Sequence, residues 1–372
     1  MFKQRCFRLL LLASAIATSL SAAAYSFESA GIYYNITGNN TVEVTYSDRD
    51  NNTYSGSISV PETVTNNGTE YSVTKIGEFA FQGSAVTSVS MPESITSIGQ
   101  YACNECGSLE TVVLPTNLDD FSGWCIFRNC RNLKNIAIPE NVTEIPNGTF
   151  INCSSLAAIT IPQGVSEIGS NAFYGCSSLT SIEIPEGVKY LYEQVFYGCT
   201  ALESVKLPQN LLQFGNYCFD GCSSLESVTI PEGVTTIGGY AFYGCNLNAL
   251  TLPESLTTLG NNAFQDCKSL RAVKIPSKVT TIPFRCFYGC SSLESVTIPE
   301  GVTAIEADAF GSCNLNALKL PESLTTLGSA FESCKSLKTI KIPSGVTAIP
   351  GYCFNGCSSL ESVTIPEGVT AI

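Results

Sequence analysis

CSSLESVTIPEGVTTIGGYAFYG, residues 222 to 244, specifies the fold, because nearly all of the chain from Ile58 to Ile372 repeats it with small changes. Prolines that follow an apolar residue mark the repeat from Pro92 to Pro366, and their spacing is always 22, 23 or 24 residues. A fixed period in this range is typical of stacked architectures in which each copy forms one structural unit. The sequence therefore predicts a β-rich solenoid of about 13 coils, each of about 23 residues.

Each copy contains one segment with the pattern of a short strand. Val228 and Ile230 alternate with Ser227 and Thr229, which is the period expected of a strand buried on one face. Pro231 ends this strand, since proline donates no hydrogen bond to a neighbouring strand. We expect the strands of successive coils to pair about 4.8 Å apart in a parallel sheet on one face of the solenoid. The other face should hold short turns or single helical turns.

An aromatic residue recurs late in each copy and should fill the core. These residues are Phe81, Phe127, Phe150, Phe173, Phe196, Phe219, Phe242, Phe264, Phe287, Phe310, Phe331 and Phe354. Only Cys103 interrupts the row. Burial of each ring should stabilise the fold by about 1.5 to 3 kcal/mol. We interpret the row as a core spine and not as a ligand-binding series.

Most of the 18 cysteines fall at one place in the repeat, three residues after the spine residue. These are Cys106, Cys130, Cys153, Cys176, Cys199, Cys222, Cys245, Cys267, Cys290, Cys313, Cys334 and Cys357. Cys218, Cys286 and Cys353 instead take the place that Ala241 has in the reference copy. Free cysteine is among the most buried residue types, so we predict a mostly reduced internal ladder. Bridges between adjacent coils are the alternative, because their Cα atoms should lie within disulfide range.

The first 24 residues resemble a secretory signal. Lys3, Arg5 and Arg8 precede an apolar stretch, and small residues up to Ala24 form a cleavage site. We expect an N-terminal β cap over residues 25–57, and the repeat solenoid over residues 58–372 with its last coil incomplete. Nine extra residues around 65–73 should form a hairpin at one edge.

Composition and motifs indicate no catalytic, cofactor or metal site. The chain has no histidine, which removes the commonest general base and most zinc sites. Cys103 and Cys106 form a C-x-x-C pair, but no second such pair exists to complete a zinc site. The net charge of −13 disfavours nucleic acid and anionic membranes as partners. No stretch after the signal is long and apolar enough to span a membrane.

The predicted sheet presents ordered rows of side chains on its outer face. One row lies two residues before the prolines, and its candidate binding residues are Lys206, Thr229, Thr251, Lys274, Thr297, Lys319 and Lys341. We predict that this face binds an extended, acidic protein or glycan by many weak contacts, whose combined strength grows with coil number. A plain solvated sheet is the alternative.

The pattern C-x-x-L-x-x-V-x-I-P-x-x-V-x-x-I-G-x-x-A-F, present from Cys222 to Phe242, resembles the BspA-like class of leucine-rich repeats. The N-terminal segment GIYYNIT is similar to the cap of secreted members from gut and oral Bacteroidetes. The resemblance implies a right-handed, curved solenoid in an exported bacterial protein. Members are associated with adhesion to host proteins or other cells.

These observations predict a secreted or cell-surface protein that is monomeric, lacks enzymatic activity and binds an extracellular protein or glycan. Two alternatives stay open at this point. The solenoid could be a passive spacer for a missing C-terminal domain. It could also be the non-catalytic part of a carbohydrate-active or inhibitor protein whose chemistry lies beyond Ile372.

Overall fold

The computed structural model describes residues 25–372, so the predicted signal lies outside the described residues. Within this range the chain forms strands and turns and no helix. None of these residues form an apolar helix long enough to cross a bilayer. The predicted parallel solenoid of about 13 coils is confirmed.

The strands that precede the prolines stack in parallel, as the alternation of Val228 and Ile230 predicts. We call them the front sheet. Its strands are Ser55–Ser59, Ala85–Ser90, Thr111–Val113, Asn135–Ile136, Ser181–Glu183, Ser204–Lys206, Ala272–Lys274, Ser295–Thr297, Ala317–Leu318, Thr339–Lys341 and Ser362–Thr364. Equivalent residues face each other, so that Glu183 pairs with Lys206 of the next coil. In the three-residue strands the central residue points toward the core and its neighbours point outward, as Ile182 shows.

A second row of parallel strands lies on the side of the coil where turns were expected. We call it the rear sheet. Its strands are Ser97–Ile98, Glu144–Ile145, Glu167–Ile168, Tyr190–Leu191, Gln213–Phe214, Thr236–Ile237, Thr258–Leu259, Thr281–Ile282, Ala304–Ile305 and Thr326–Leu327. Each has only two residues, too few for a periodic pattern to reveal it. The second residue of each strand is buried, as Ile237 is.

The N-terminal region closes the first coil with antiparallel strands. These are Phe27–Ser29, Ile32–Ile36 and Thr41–Thr45, and the inserted segment forms the expected hairpin from Thr63–Asn66 and Thr69–Ile76. Tyr54 fixes this region to the solenoid, because its hydroxyl donates to the carbonyl of Thr45 and accepts from the amide of Tyr33, both at 2.8 Å. Its ring also lies 5.0 Å from that of Phe81, so it continues the aromatic core.

The phenylalanine spine is a continuous stack in the core, as predicted. From Phe127 to Phe354, neighbouring rings lie 5.1 to 6.1 Å apart between centroids. Their planes are within 14° of parallel. Such offset stacks add about 0.5 to 1.5 kcal/mol for each pair beyond burial. The spine therefore links every coil of this range to the next.

The cysteines form a buried ladder of free thiols. All 17 cysteines of the described range are free, including Cys103 and Cys106. Each ladder thiol donates to the carbonyl of the spine residue one coil earlier, as Cys222 does to Phe196 at 3.2 Å. A thiol is small enough for this core and still supplies a weak donor. Burial raises the pKa of the ladder thiols from Cys130 onward, that of Cys199 to about 12, so these thiols stay protonated at neutral pH. Cys106 is the exception, because hydrogen bonds with Cys103 and Cys130 lower its pKa.

The edge of the coil around the spine residue forms what we call the turn ridge. The residues two before and two after the spine residue have left-handed backbone, as Tyr217 (φ 57°) and Gly221 (φ 72°) do beside Phe219, except in the coil of Phe331, where only Ser333 does. Alternate amides then bond within the turn or to the next coil: Asp220 donates to Tyr217, and Phe219 donates to Ala241. Side chains at two positions of each coil point outward along the ridge and form two columns. One column holds the residue directly after each spine residue, and the other holds the residue two before it.

One carboxylate of the turn ridge is buried without a partner. Asp220 is only 9 % exposed. Its side chain has no hydrogen bond and no ion pair within residues 25–372. An unpaired buried charge is unfavourable, and burial raises the pKa of Asp220 to about 6.

We expect Asp220→Asn to stabilise the protein at pH 7 but not at pH 4. A carboxyl whose pKa is higher in the folded state destabilises that state once it ionises, so the cost is absent below about pH 4 and complete above about pH 6. The groups around it, Tyr197, Tyr243 and Cys245, stay neutral in this range. After allowance for residual solvation, the gain at pH 7 should be about 1 to 2 kcal/mol.

Denaturant unfolding of both proteins from pH 4 to pH 8 measures this difference. Glu332→Gln is the matched control, since Glu332 has the same place in its own coil and is partly exposed. A difference between Asp220→Asn and the parent protein that stays constant across this pH range would contradict the assignment.

Candidate binding face of the front sheet

The seven predicted binding residues all lie exposed on the front side of the solenoid. Lys206, Lys274, Thr297 and Lys341 are the last residues of front-sheet strands, and Lys319 directly follows one. Thr229 and Thr251 lie in two successive coils that form no front-sheet strand. The residues therefore share one face, but the hydrogen-bonded sheet beneath them is interrupted.

Three of the four lysines are paired with a glutamate of the preceding coil. The Nζ atom of Lys206 lies 2.6 Å from Oε1 of Glu183. The corresponding contacts are Lys274 with Glu254 at 2.7 Å and Lys341 with Glu322 at 3.0 Å. Lys319 has no ion pair among residues 25–372. The face thus carries alternating charges where the sequence suggested a basic strip.

These pairs shift pKa values toward the charged forms but add little stability. The hydrogen bond that Lys206 donates to Glu183 raises the pKa of Lys206, and the hydrogen bond that Lys274 donates to Glu254 lowers the pKa of Glu254. Exposed ion pairs contribute about 0 to 1 kcal/mol each. Both partners are exposed to solvent, so a charged ligand can exchange with either of them.

A groove crosses three coils of this face, on the N-terminal side of the lysines. Its volume is about 700 Å³. Small outward side chains form its floor, among them Ala137, Ala158 and Ser181, and Glu140 and Gln163 stand at its rim. The front sheet is reduced there to a single bridge between Ala137 and Thr160. The groove is open and partly apolar, which suits an extended chain more than a compact ligand.

Sequence reasoning did not single out this groove, although its signal was present. The outward positions two and four residues before Pro139 and Pro162 hold the short side chains of Asn135, Ala137, Ala158 and Thr160. In the next two coils Glu183, which lines the end of the groove, and Lys206 occupy the same row. A run of short side chains between longer ones produces a depression only when the coils are stacked in register, which the sequence alone did not establish.

Comparison with known proteins places this architecture among bacterial repeat proteins. The family model described as the BspA type leucine rich repeat region matches the chain in overlapping segments, residues 50–162, 143–271 and 260–372. Together these segments span most of the chain. A search of curated proteins found no match.

Two solved structures are similar over nearly the whole chain. A leucine-rich repeat protein from Bacteroides ovatus is 31% identical, with 92% of this chain and 95% of that chain covered and a TM-score of 0.76. A leucine rich cell surface protein from Faecalibacterium prausnitzii is 26% identical, with coverage of 91% and 94% and a TM-score of 0.51. Each similarity covers more than nine-tenths of both chains.

Proposed function

The chain belongs to the BspA-type leucine-rich repeat proteins, and from that premise we propose that it is an exported, non-enzymatic protein whose front sheet binds an extracellular protein or glycan. The groove over Ala158 is the observation that carries the proposal. Binding of this kind serves adhesion to host surfaces or to other cells. The signal predicted in residues 1–24 and the similarity to a cell surface protein support export.

The chemistry of the face suits many weak contacts with an extended partner. Short hydroxyl and amide side chains such as Asn135, Thr160 and Ser181 can donate to and accept from sugar hydroxyls or a peptide backbone. The ion pairs at Lys206, Lys274 and Lys341 supply both charges in alternation. Repetition of these groups along the coils increases the combined affinity for a partner that is itself repetitive.

We expect the purified chain, residues 25–372, to bind saturably to at least one member of a panel of extracellular-matrix proteins, mucins and glycans. Replacement of Lys206, Lys274, Lys319 and Lys341 by glutamate should weaken that binding by about tenfold or more and reduce its dependence on salt. Surface plasmon resonance at two salt concentrations measures both effects.

Matched control variants distinguish an effect of the front-sheet face from an effect of net charge alone. Replacement of Lys189, Lys268, Lys278 and Lys335 by glutamate makes the same charge change at exposed positions outside the front sheet and should leave binding unchanged. Ala158→Arg should block the groove and weaken binding, whereas Ala348→Arg, at an exposed alanine on the rear side of the solenoid, should not.

Two results would count against the proposal. Equal binding by the parent protein, the front-sheet lysine variant and Ala158→Arg would show that another surface binds the partner. A folded sample that binds nothing in the panel would favour the alternative of a passive spacer.

A further inference from the structure

The turn ridge carries a group of tyrosines that lies away from the front sheet. Two pairs of rings stack in parallel between successive coils. Tyr174 and Tyr197 lie 4.6 Å apart at 5°, and Tyr217 and Tyr240 lie 4.8 Å apart at 11°. Tyr243 follows one coil after Asp220, with its ring 5.8 Å from that of Tyr240. These rings are partly exposed, so they are available to a ligand.

Asp220 interrupts one of the two columns. Tyr174, Tyr197 and Tyr243 hold the column position in their coils, and Asp220 holds it between the last two. Tyr197 uses one face to stack on Tyr174, which leaves its other face toward the coil of Asp220. Tyr197 and Tyr243 are two coils apart, about 10 Å at the usual strand spacing, and the short carboxylate stands in the space between them.

The carboxylate and the rings are close enough to act together. The charge of Asp220 raises the pKa of Tyr197. Burial, together with the charges of Asp266 and Asp220, raises the pKa of Tyr243. Asp220 itself is 9 % exposed and lacks any hydrogen-bonding or ionic partner in the described part of the chain. A negative group between two coils that carry aromatic side chains at the same position is complementary to a cation that is itself partly apolar.

We propose that Asp220, the open face of Tyr197 and the ring of Tyr243 bind an organic ammonium group. An ammonium midway between the two rings would lie about 5 Å from each, within the distance of about 6 Å at which a cation interacts with an aromatic face. The carboxylate below would neutralise its charge. A metal ion fits poorly, since calcium needs six or more oxygen ligands and a single carboxylate is present. No cluster of metal-binding side chains occurs within residues 25–372.

The ammonium could be a small quaternary amine or a lysine side chain of another protein, and both present the same chemistry. Tetramethylammonium chloride tests the first source. A short lysine peptide, compared with its Nε-acetylated form, tests the second. Saturation-transfer NMR on the protein of residues 25–372 measures the binding of each probe. Each probe replaces an equal concentration of sodium chloride, so the ionic strength stays constant.

We expect saturable binding of at least one probe, and a loss of about tenfold or more in both Asp220→Asn and Tyr197→Leu. Asp220→Asn keeps the shape of the side chain and should not unfold the protein. Glu332→Gln removes a carboxylate from the same column, but the coil of Glu332 has no tyrosine on the turn ridge. This variant should bind the probes as the parent protein does. Equal binding by Asp220→Asn and the parent protein, or no binding of any probe, would overturn the proposal.

Discussion

Phe219→Ala should reduce the free energy of unfolding by about 3 to 5 kcal/mol, the largest loss that we expect from a single substitution in this chain. Phe219 is fully buried and stacks on both sides, 5.1 Å from Phe196 and 5.4 Å from Phe242. The edge of Phe214 also meets it, at 6.1 Å. Removal of the ring leaves a cavity and breaks two stacks of the spine at once.

The loss should also change the form of the unfolding transition. Because the stability of a solenoid is close to a sum over neighbouring coils, a defect in the middle divides it into two halves that unfold separately. Guanidinium unfolding followed by circular dichroism should show a broader or a double transition.

Phe354→Ala is the matched control for the spine. Phe354 is only partly buried and stacks on one ring, that of Phe331 at 5.9 Å. We expect a loss of about 1 to 2 kcal/mol, because less apolar surface and only one stack are removed. Equal losses in the two variants would show that the spine does not couple the coils.

Gly238→Ala should destabilise the protein by about 2 to 3 kcal/mol, although alanine differs by one methyl group. An added Cβ at this position would lie 2.6 Å from the carbonyl carbon of Gly215 and 2.7 Å from the amide nitrogen of Asn216. Both are backbone atoms of the preceding coil, so no side chain can move aside. The two coils would have to separate, which weakens the adjoining rear sheet.

Gly107→Ala provides the comparison for this prediction. Gly107 is also a turn glycine with an ordinary backbone conformation, but an added Cβ would have no atom within 4 Å. We expect a change within about 0.5 kcal/mol. Thermal unfolding of both variants tests the idea, and a neutral Gly238→Ala would show that the coils tolerate local separation.

Much of this fold follows from the period of the sequence. Prolines at a constant interval, with Val228 and Ile230 alternating before Pro231, allow only a stack of short parallel strands. The spine and the cysteine ladder follow for the same reason, because a residue at a fixed place in every coil meets its equivalents above and below. Each ladder thiol donates a hydrogen bond to a backbone carbonyl, as Cys222 does, which explains why cysteine suits the position. Only the structure shows this hydrogen bond.

The candidate sites depend on contacts between non-equivalent residues of neighbouring coils, which the repeat period does not predict. The ion pair of Lys274 with Glu254 joins residues 20 positions apart in different rows of the repeat. The groove at Ala158 arises from small residues in adjacent coils. The rear sheet was missed because two residues are too few to show a pattern.

The architecture of this protein, its core and its family follow from the amino-acid sequence alone, since these depend on what every repeat has in common. Only the folded chain shows which lysines are paired, where the groove lies and that Asp220 is buried between the coils of Tyr197 and Tyr243. These features come from the differences between repeats. The effect of a residue that differs between repeats depends on the side chains of the neighbouring coil, because burial and charge pairing are properties of side chains in contact across the stack.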